Sequence, residues 1–170
     1  MIFLKFSKEK FYLQHTYKLE YTMLILDAAI SDLRTILELQ YLAYQDEAKL
    51  LNDYEIPELV ETKEEIEEEF FNGTILKAVD DLGQIIGSIR AIEEDDTIKV
   101  SKLIVHPSYR QHGIGTQLLE ELESRFKNKR FEIFASDIIK SNIQFYKNRG
   151  YTEFKQEKLR PNVMGIYFQK

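Results

Sequence analysis

The chain has 170 residues, 44% of them hydrophobic, which is enough for one domain that buries about 70% of its unfolded surface. Its lack of cysteine excludes disulfides, thiolate metal sites and a cysteine nucleophile. A net charge of −6 argues against general nucleic-acid binding, and no apolar run reaches the ~18–20 residues that a membrane span needs.

The first 22 residues differ in composition from the rest of the chain. They are rich in aromatic side chains and basic in balance, whereas the remainder is acidic. They contain neither a long apolar core nor a small-residue cleavage site, so we expect no signal peptide. We therefore expect a cytoplasmic location. We predict an N-terminal extension over residues 1–22, either an extra packed element or the product of an upstream start codon, with a partner-binding arm as the alternative. The domain itself is predicted over residues 23–170.

The first part of this domain predicts one strand and two helices. An apolar strand over residues 23–26 is followed by Ser31, which is predicted to cap a helix with apolar side chains at helical spacing. Residues 45–60 lose that spacing, so a loop or a broken helix is predicted there. Thr62–Glu65 forms a capping box for a second helix, which is expected to end at Gly73.

A hairpin and a longer central strand follow. Strands over residues 74–79 and 84–92 flank a turn in which Gly83 can supply a positive φ. After an acidic turn, Glu93–Asp96, residues 97–105 form a strand with little alternation, which is typical of a strand buried on both faces.

The remaining elements complete a sheet. They are predicted, in order, as a helix over 114–126, a strand over 131–135, a helix over 141–148 that stops at Gly150, and an antiparallel strand pair over 151–156 and 163–168. The central strand, the next helix and the next strand should form a right-handed parallel crossover. The sequence therefore predicts an α/β fold with a mixed, mostly antiparallel sheet and flanking helices.

The connection between the central strand and its helix predicts a phosphate-binding loop. His106-Pro107 ends the strand, and Arg110 to Gly115 lead into the helix. A glycine-bearing turn at a helix N-terminus brings free backbone N–H groups into one concave loop, which suits a phosphate. The dinucleotide fingerprint would need glycine at position 118, and the P-loop pattern is absent. A strand, loop and helix without a ligand is the alternative.

This stretch resembles the acyl-CoA loop of the GCN5-related N-acetyltransferases (GNAT). Val105 to Pro107 followed by Arg110 to Gly115 matches that family's V-x-P and [QR]-x-x-G-x-[GA] pattern. Phe145 to Tyr151, which reads FYKNRGY, resembles the family's [FL]-Y-x-x-x-G-[FY]. The resemblance covers residues 23–170. It implies the GNAT fold, in which two central parallel strands splay apart and hold the pantetheine arm of acetyl-CoA.

The resemblance also implies which residues bind acetyl-CoA. Main-chain N–H groups across Gln111–Gly115 should meet the pyrophosphate, with a charge-assisted contact from Arg110. Leu103 and Val105 should offer backbone hydrogen bonds to the pantetheine, and one of their N–H groups should polarise the thioester carbonyl. Asn142 is either a ligand of the CoA arm or a helix cap. The full implied set is Leu103, Ile104, Val105, Arg110, Gln111, His112, Gly113, Ile114, Gly115, Thr116, Asn142 and Tyr146.

Acetyl transfer to an amine requires two proton-handling groups. The resemblance places Tyr146 near the thioester sulfur as a hydrogen-bond donor to the departing thiolate, the alternative being a core tyrosine. For the general base the residues leave several alternatives open. Glu93 is the leading one, Glu94 and the carboxylates within residues 46–55 are others, and each of them could equally be a solvated turn charge. The three histidines do not cluster, so no metal site is expected.

The sequence thus predicts an acetyl-CoA-dependent N-acetyltransferase acting on a primary amine. Residues 41–55 mix tyrosines and carboxylates, which favours a small cationic acceptor over a peptide. The alternatives are a non-catalytic acyl-CoA-binding or sensing domain, and an interaction protein that uses its aromatic N-terminus. No nucleic-acid or membrane partner is expected. The sequence leaves open which amine is acetylated and which oligomeric state forms, with a homodimer among the options.

Overall fold

The computed structural model describes residues 23–170; residues 1–22, over which the N-terminal extension is predicted, lie outside the described part of the chain. Residues 23–170 form one seven-stranded sheet with helices packed against it. The strands are β1 (Leu24–Asp27), β2 (Thr74–Val79), β3 (Ile85–Glu94), β4 (Thr97–Val105), β5 (Arg130–Ser136), β6 (Thr152–Arg160) and β7 (Val163–Gln169). The α-helices are α1 (Leu33–Ala43), α2 (Gln45–Leu51), α3 (Pro57–Val60), α4 (Lys63–Asn72), α5 (Ile114–Arg125) and α6 (Lys140–Lys147).

The strand order across the sheet is β1-β2-β3-β4-β5-β7-β6. Every neighbouring pair is antiparallel except β4 and β5, which run parallel and are joined through α5. The predicted fold class, an α/β fold with a mixed and mostly antiparallel sheet, is confirmed. Within residues 23–170, no helix combines the length and the apolar character needed to cross a membrane.

Two apolar clusters cover the two faces of the sheet. α5 contributes Leu118 to one cluster, and α1 contributes Leu33 and Ile36 to the other. Ile75 and Leu76, adjacent in β2, fall into different clusters because successive side chains of a strand point to opposite faces. Each fully buried Leu or Ile of this kind contributes about 1.5–3 kcal/mol relative to an exposed one. The sheet is therefore held from both sides.

The start of α1 differs from the prediction. Ser31 lies inside a short 3-10 helix, Ile30–Asp32, and makes no capping bond to α1. The Asp32 carboxylate instead accepts a hydrogen bond from the Ala29 N–H at 2.7 Å. The prediction that Ser31 caps the helix is wrong. The chain already turns at Ile30, so Ser31 lies inside the 3-10 helix and Asp32 occupies the N-cap position of α1.

Residues 45–60 form a broken helix, which is one of the two predicted alternatives. α2 ends at Asn52, whose φ of 50° lies in the left-handed region, and α3 begins at Pro57, which is favoured in a first helical turn. The predicted capping box of α4 is confirmed. The Glu65 N–H donates to Thr62 Oγ1 at 3.3 Å, and the Thr62 N–H donates to the Glu65 carboxylate at 2.6 Å.

The strands lie where the sequence predicts them, with extended ends. Gly83 has a φ of 79° in the turn between β2 and β3, as that hairpin requires. β3 continues through Glu93 and Glu94, so the predicted acidic turn over Glu93–Asp96 is shorter than expected. β6 also runs further than predicted, because the residues up to Arg160 still pair with β7.

The two parallel strands pair at their beginnings and then separate. The ladder joins Thr97–Val100 of β4 to Arg130–Ile133 of β5. β4 continues through Ser101–Val105 and β5 through Phe134–Ser136, but no ladder joins these segments, and β5 pairs there with β7. The edge of β4 that faces β5 is therefore free over its last five residues, here called the free end of β4 (Ser101–Val105).

A β-bulge lies at the start of this free end. Ser88 of β3 is opposite Ile104, whereas Arg90 is opposite Ser101, so β4 holds one extra residue between these pairs. Within that interval Lys102 has a φ of 40°, which is uncommon for a residue other than glycine. The bulge shifts the alternation of β4 by one residue.

Candidate active site

A cavity of about 620 Å³ opens where β4 and β5 part. All the predicted cofactor-binding residues except His112 line it: Leu103, Ile104, Val105, Arg110, Gln111, Gly113, Ile114, Gly115, Thr116, Asn142 and Tyr146. The other lining residues come from the α1–α2 junction, from the turn after β4 and from α6 and its approach: Ala43, Tyr44, Asp46, Glu47, Tyr109, Ile139, Ser141, Phe145 and Arg149. Residues far apart in the chain thus converge on one cavity.

The N-terminus of α5 faces this cavity. Its N-cap is Gly113, whose φ of 82° would cost another residue about 1–2 kcal/mol. The Gln117 N–H donates to the Gly113 carbonyl at 3.0 Å and makes the first bond within the helix. The N–H groups of residues 113–116 consequently have no partner within α5. Together with the positive end of the helix dipole, they favour an anionic ligand.

Arg110 connects the loop before α5 to the α1–α2 junction. Its guanidinium donates to the Asp46 carboxylate at 2.7 Å and to the Ala43 carbonyl at 2.8 Å. The predicted contact between Arg110 and a pyrophosphate would therefore compete with an existing ion pair. Because this pair is largely exposed, it contributes only about 0–1 kcal/mol and can be exchanged cheaply.

Arg149 brings a second positive charge to the cavity. Its guanidinium carbon lies 3.5 Å from the centre of the Phe145 ring, and it donates to the Phe145 carbonyl at 2.8 Å and to Thr116 Oγ1. No carboxylate pairs with it within residues 23–170, and its Nε is buried without a hydrogen bond there. The end of the cavity beside the α5 N-terminus is therefore positive.

Tyr146 and Asn142 lie on the cavity side of α6. Tyr146 is buried and belongs to the apolar cluster on the α5 face, yet it also lines the cavity. Burial raises the pKa of its hydroxyl, so the group stays neutral and keeps its proton. Asn142 is not the cap of α6, because that position belongs to Ile139. Of the two predicted alternatives for Asn142, only the one facing the cavity agrees with its position.

A buried ion network supports the bulge of β4. Arg90 is 1% exposed and donates to the carboxylates of Glu61 and Glu69, at 2.9 Å in each case. Lys102, in the bulge, donates to the same two carboxylates at 3.0 and 3.1 Å. Gln40 of α1 bonds to both Arg90 and Glu61. Burial acts to raise the pKa of Glu61, but Arg90, Gln40 and Lys102 together hold that pKa below its ordinary value.

The bulge decides which side chains of β4 face α5. Before it, Ile98 and Val100 pack into the α5-side cluster; after it, Leu103 and Val105 do. Side chains alternate between the two faces of a strand, so without the extra residue Leu103 and Val105 would lie on the face opposite to α5. The network around Lys102 therefore fixes the orientation of the free end of β4.

The comparisons with known proteins agree with this architecture. Residues 71–153 match a family model described as an acetyltransferase (GNAT) domain. That segment contains β3, β4, the loop and α5. Residues 71–153 are thus similar to a GNAT acetyltransferase domain. A search of curated protein sequences finds no significant match.

Solved GNAT structures share the whole fold of residues 23–170. An acetyltransferase of the GNAT family from Staphylococcus aureus Mu50 superposes with a TM-score of 0.71 at 23% identity, covering 88% of this chain and 98% of that chain. The PaiA N-acetyltransferase from Thermoplasma acidophilum, solved with coenzyme A, gives 0.69 at 19% identity, with 86% and 98% covered. A phosphinothricin acetyltransferase from Sinorhizobium meliloti, solved with AcCoA, gives 0.69 at 22% identity, with 88% of each chain covered.

Two of the predicted site residues lie away from the cavity. Glu93 is paired with Ile98 near the start of β4, roughly 10 Å along the strand from Ser101 and more than about 20 Å from Val105, and its carboxylate contacts Lys129 at 2.9 Å. The structure therefore does not bring Glu93 to Tyr146, and Glu93 has the position of a strand-end surface charge. His112 points elsewhere as well: its Nδ1 lies 3.2 Å from the Tyr109 carbonyl oxygen.

A second part of the cavity wall comes from the junction of α1 and α2. We call Tyr44, Asp46 and Glu47 the α2 wall, and Arg110–Thr116 the loop wall. Burial, Glu58 and Glu47 raise the pKa of Tyr44 well above its ordinary value, so its hydroxyl is neutral. The α2 wall carries negative charge, whereas the loop wall and Arg149 carry positive charge. Residues 23–170 contain no cluster of three or more His, Cys, Asp or Glu side chains suited to a metal ion.

Sequence reasoning missed Arg149 and Lys102, and it included Glu47 only as one of several carboxylates within residues 46–55. Arg149 occupies an unspecified position of the FYKNRGY motif, so the pattern says nothing about its side chain. Lys102 stands at a bulge that has no local signature, because a lysine is not expected at positive φ. A signal for Glu47 did exist in the acidic residues of segment 45–60, but no spacing in the sequence distinguishes one carboxylate from the next.

Proposed function

We propose that this protein is an acetyl-CoA-dependent N-acetyltransferase that acetylates a primary amine of a small cationic acceptor, with residues 23–170 as its catalytic domain. The observation that carries the proposal is the convergence of the loop wall, the free end of β4 and Tyr146 on one cavity. A glycine loop alone would suit many phosphate ligands. The free strand edge and the buried tyrosine beside it are what favour a thioester with a long, extended arm.

Acetyl-CoA suits the groups of this chain. The free N–H groups at the start of α5, with Arg149 nearby, provide for phosphate charge. Arg110 can join them by exchanging its exposed pair with Asp46. The unpaired backbone of Leu103 and Val105 provides for the amide groups of an extended arm, as strand edges do for extended ligands. When bound, acetyl-CoA supplies an acetyl group activated as a thioester.

Tyr146 is proposed as the hydrogen-bond donor to the leaving thiolate. Transfer forms a bond between the amine nitrogen and the acetyl carbon and breaks the carbon–sulfur bond, whose electron pair leaves with sulfur. Because burial raises the pKa of Tyr146, its hydroxyl stays protonated and can stabilise the developing negative charge. As the amide forms, the nitrogen releases one N–H proton to solvent. The departing thiolate takes up a proton from solvent, since a buried tyrosine is a poor acid.

The charge of the cavity supports a cationic acceptor. Asp46 and Glu47 of the α2 wall line the cavity on a chain whose net charge is −6. Carboxylates near a binding site raise the local concentration of cations and favour their orientation. Of the solved structures named above, one is named for an acceptor, phosphinothricin, and at 22% identity that name does not choose the amine for this chain.

The proposed function is tested by binding and turnover measured separately. Acetyl-CoA at 100 times its dissociation constant should stabilise the folded protein by about 2.7 kcal/mol, measured as a rise in melting temperature. Thiol release from acetyl-CoA should then be stimulated by at least one member of a panel of alkylamines, polyamines, amino acids and aminoglycosides. Stabilisation without stimulated release by any amine would indicate an acyl-CoA-binding domain instead. No stabilisation at all would contradict both proposals.

A further inference from the structure

We propose that Glu47 accepts the proton that an alkylammonium substrate must lose before acetyl transfer. This inference rests on the proposed function, because it assigns a group to that reaction. Glu47 lines the same cavity as Tyr146 and the free end of β4. Within residues 23–170 two carboxylates line this cavity; Asp46 is exposed and is paired with Arg110 in the free protein, whereas Glu47 is half-buried and carries no such pair.

Ion pairs tie both ends of α2 to neighbouring elements. Asp46, directly before Glu47, pairs with Arg110 of the loop wall, and Asp53, just after α2, pairs with Arg160 of β6. Glu47 lies between these two neutralised carboxylates. It forms no ion pair of its own among the described residues. The carboxylate is thus held at the cavity while remaining available to an incoming cation.

Glu47 lies close to the place where β4 and β5 separate. Its carboxylate interacts with the side chain of Ser136, the last residue of β5. It also interacts electrostatically with Tyr44, which in turn interacts with Tyr146. Glu47, Tyr44 and Tyr146 all line the one cavity, which opens where β4 and β5 separate. That is the region in which an amine has to meet the thioester.

The surroundings of Glu47 make it a better proton acceptor than an exposed glutamate. Burial and the nearby Glu58 of α3 raise its pKa, and Arg160 of β6 and Ser136 of β5 offset this only in part. Of the other nearby carboxylates, Asp46 pairs with Arg110 and Asp53 with Arg160, whereas Glu58 adds to the negative charge around Glu47. A base whose pKa lies closer to neutrality removes a proton from an ammonium ion with a smaller free-energy cost.

The proposed step is a single proton transfer. One N–H bond of the alkylammonium ion breaks, its electron pair stays on nitrogen, and the proton binds a carboxylate oxygen of Glu47. The neutral amine can then attack the acetyl carbon, and Glu47 returns the proton to solvent. Before the transfer, the same carboxylate attracts the ammonium ion by charge. Glu47 is therefore assigned both recognition of the cation and its deprotonation.

The test is the pH profile of kcat/KM for Glu47→Gln. It is measured with butane-1,4-diamine, or with whichever amine of the panel is acetylated faster. The wild-type rate should fall as the pH drops below the raised pKa of Glu47. Near neutral pH, Glu47→Gln should lower kcat/KM by about 10²–10⁴-fold and abolish that limb. The deficit should shrink towards about pH 10, because the amine then loses its proton without a base.

Glu55→Gln is the matched control, since Glu55 is an exposed glutamate eight residues further on that does not line the cavity. It should keep the wild-type profile. Glu47→Gln should also keep the stabilisation by acetyl-CoA and should melt no earlier than wild type at about pH 8. The sign follows from the raised pKa: ionised Glu47 destabilises the folded protein above that pKa, and glutamine removes this cost.

The outcomes separate this inference from the proposed function. If wild type releases no thiol with any amine, the proposed function itself fails. If wild type is active and Glu47→Gln keeps the wild-type rate and profile, only the assignment of Glu47 is overturned. A deficit of the same size at every pH would also overturn it, because a residue that merely shapes the wall would act in that way. A deficit that shrinks as the pH rises supports it.

Discussion

The loop wall and the α2 wall enclose one cavity but are built in different ways. The loop wall works through its backbone: a glycine at positive φ and the free N–H groups that begin α5. The α2 wall works through its side chains, whose positions depend on ion pairs made to the loop wall and to β6. One wall would be altered by a change of backbone conformation, the other by the loss of a single carboxylate.

This difference predicts different consequences of mutation. A site made of main-chain N–H groups tolerates many side chains but few changes at its glycines. A site made of side chains keeps its shape after substitution and loses one chemical step. Changes in the loop wall should therefore affect acetyl-CoA binding. Changes at Tyr146 or Glu47 should affect turnover, and a change at Asp46 should alter the affinity for acetyl-CoA only slightly.

The largest effect on binding is expected from Gly113→Val. Valine is strained at a φ of 82°, and its side chain would stand in the loop whose N–H groups face the cavity. We expect this variant to lose most of the stabilisation of about 2.7 kcal/mol that acetyl-CoA gives at 100 times the wild-type dissociation constant. The measurement is the shift in melting temperature on adding acetyl-CoA.

Gly83→Val is the matched control for the loop. Gly83 also has a positive φ, 79°, and in both glycines an added Cβ would meet no atom within 4 Å. Both variants should lose a similar amount of stability from backbone strain, roughly 1–2 kcal/mol. Only Gly113→Val should lose its response to acetyl-CoA. An equal response in the two variants would remove the loop wall from the binding site.

An intermediate effect is expected from Tyr146→Phe, this time on turnover. The substitution removes one hydroxyl from a buried ring whose packing stays the same. A hydrogen bond to a charged group is worth about 1.5–3 kcal/mol, so kcat should fall about tenfold or more, while the dissociation constant of acetyl-CoA stays unchanged. Steady-state kinetics under conditions where chemistry limits the rate provide the check.

Tyr151→Phe supplies the comparison within the same sequence motif. The Tyr151 hydroxyl donates to the Glu123 carboxylate at 2.8 Å and does not line the cavity. Its loss should lower the free energy of unfolding by about 1.5–3 kcal/mol and leave kcat as it is. If Tyr146→Phe behaved in this way too, losing stability and keeping its kcat, Tyr146 would be a packing residue.

The smallest effect is expected where the two walls meet. Asp46→Asn removes the carboxylate that holds Arg110, through a pair whose side chains are 71% and 40% exposed. Such pairs contribute about 0–1 kcal/mol, so stability should barely change. Because Arg110 no longer has to leave a partner, the affinity for acetyl-CoA should rise by up to about fivefold, as titration calorimetry can measure. A weaker affinity would mean that Arg110 does not contact the cofactor.

The contrast between the walls also explains what the sequence could predict. The apolar pattern of residues 97–105 and the glycines of the loop are local signals, since a buried strand and a positive φ each favour particular residues. The strand bounds of β4 and the start of α5 agree with the prediction for this reason. The capping box at Thr62 is local in the same sense.

The predictions that failed, or that the structure does not support, depended on distant partners. Ser31 is a common cap, but it lies inside a 3-10 helix, where the Asp32 carboxylate accepts hydrogen bonds from the Ala29 N–H and from Lys77 of β2. The sequence predicts Glu93 in an acidic turn, yet it belongs to β3, and its register with Ile98 places it at the end of the sheet away from the cavity. The bulge at Lys102 is stabilised by Glu61 and Glu69, from segments more than thirty residues away, and no local pattern announces it.

Hydrogen–deuterium exchange measures directly whether the loop wall binds acetyl-CoA. The N–H groups that begin α5 have no partner within the helix, so they should exchange quickly in the free protein. With acetyl-CoA at 100 times its dissociation constant, exchange across Gln111–Thr116 should slow by up to about 100-fold, together with that of the free end of β4. Exchange around Glu93 should not change. If acetyl-CoA stabilises the protein but Gln111–Thr116 gain no protection, acetyl-CoA does not bind at the loop wall.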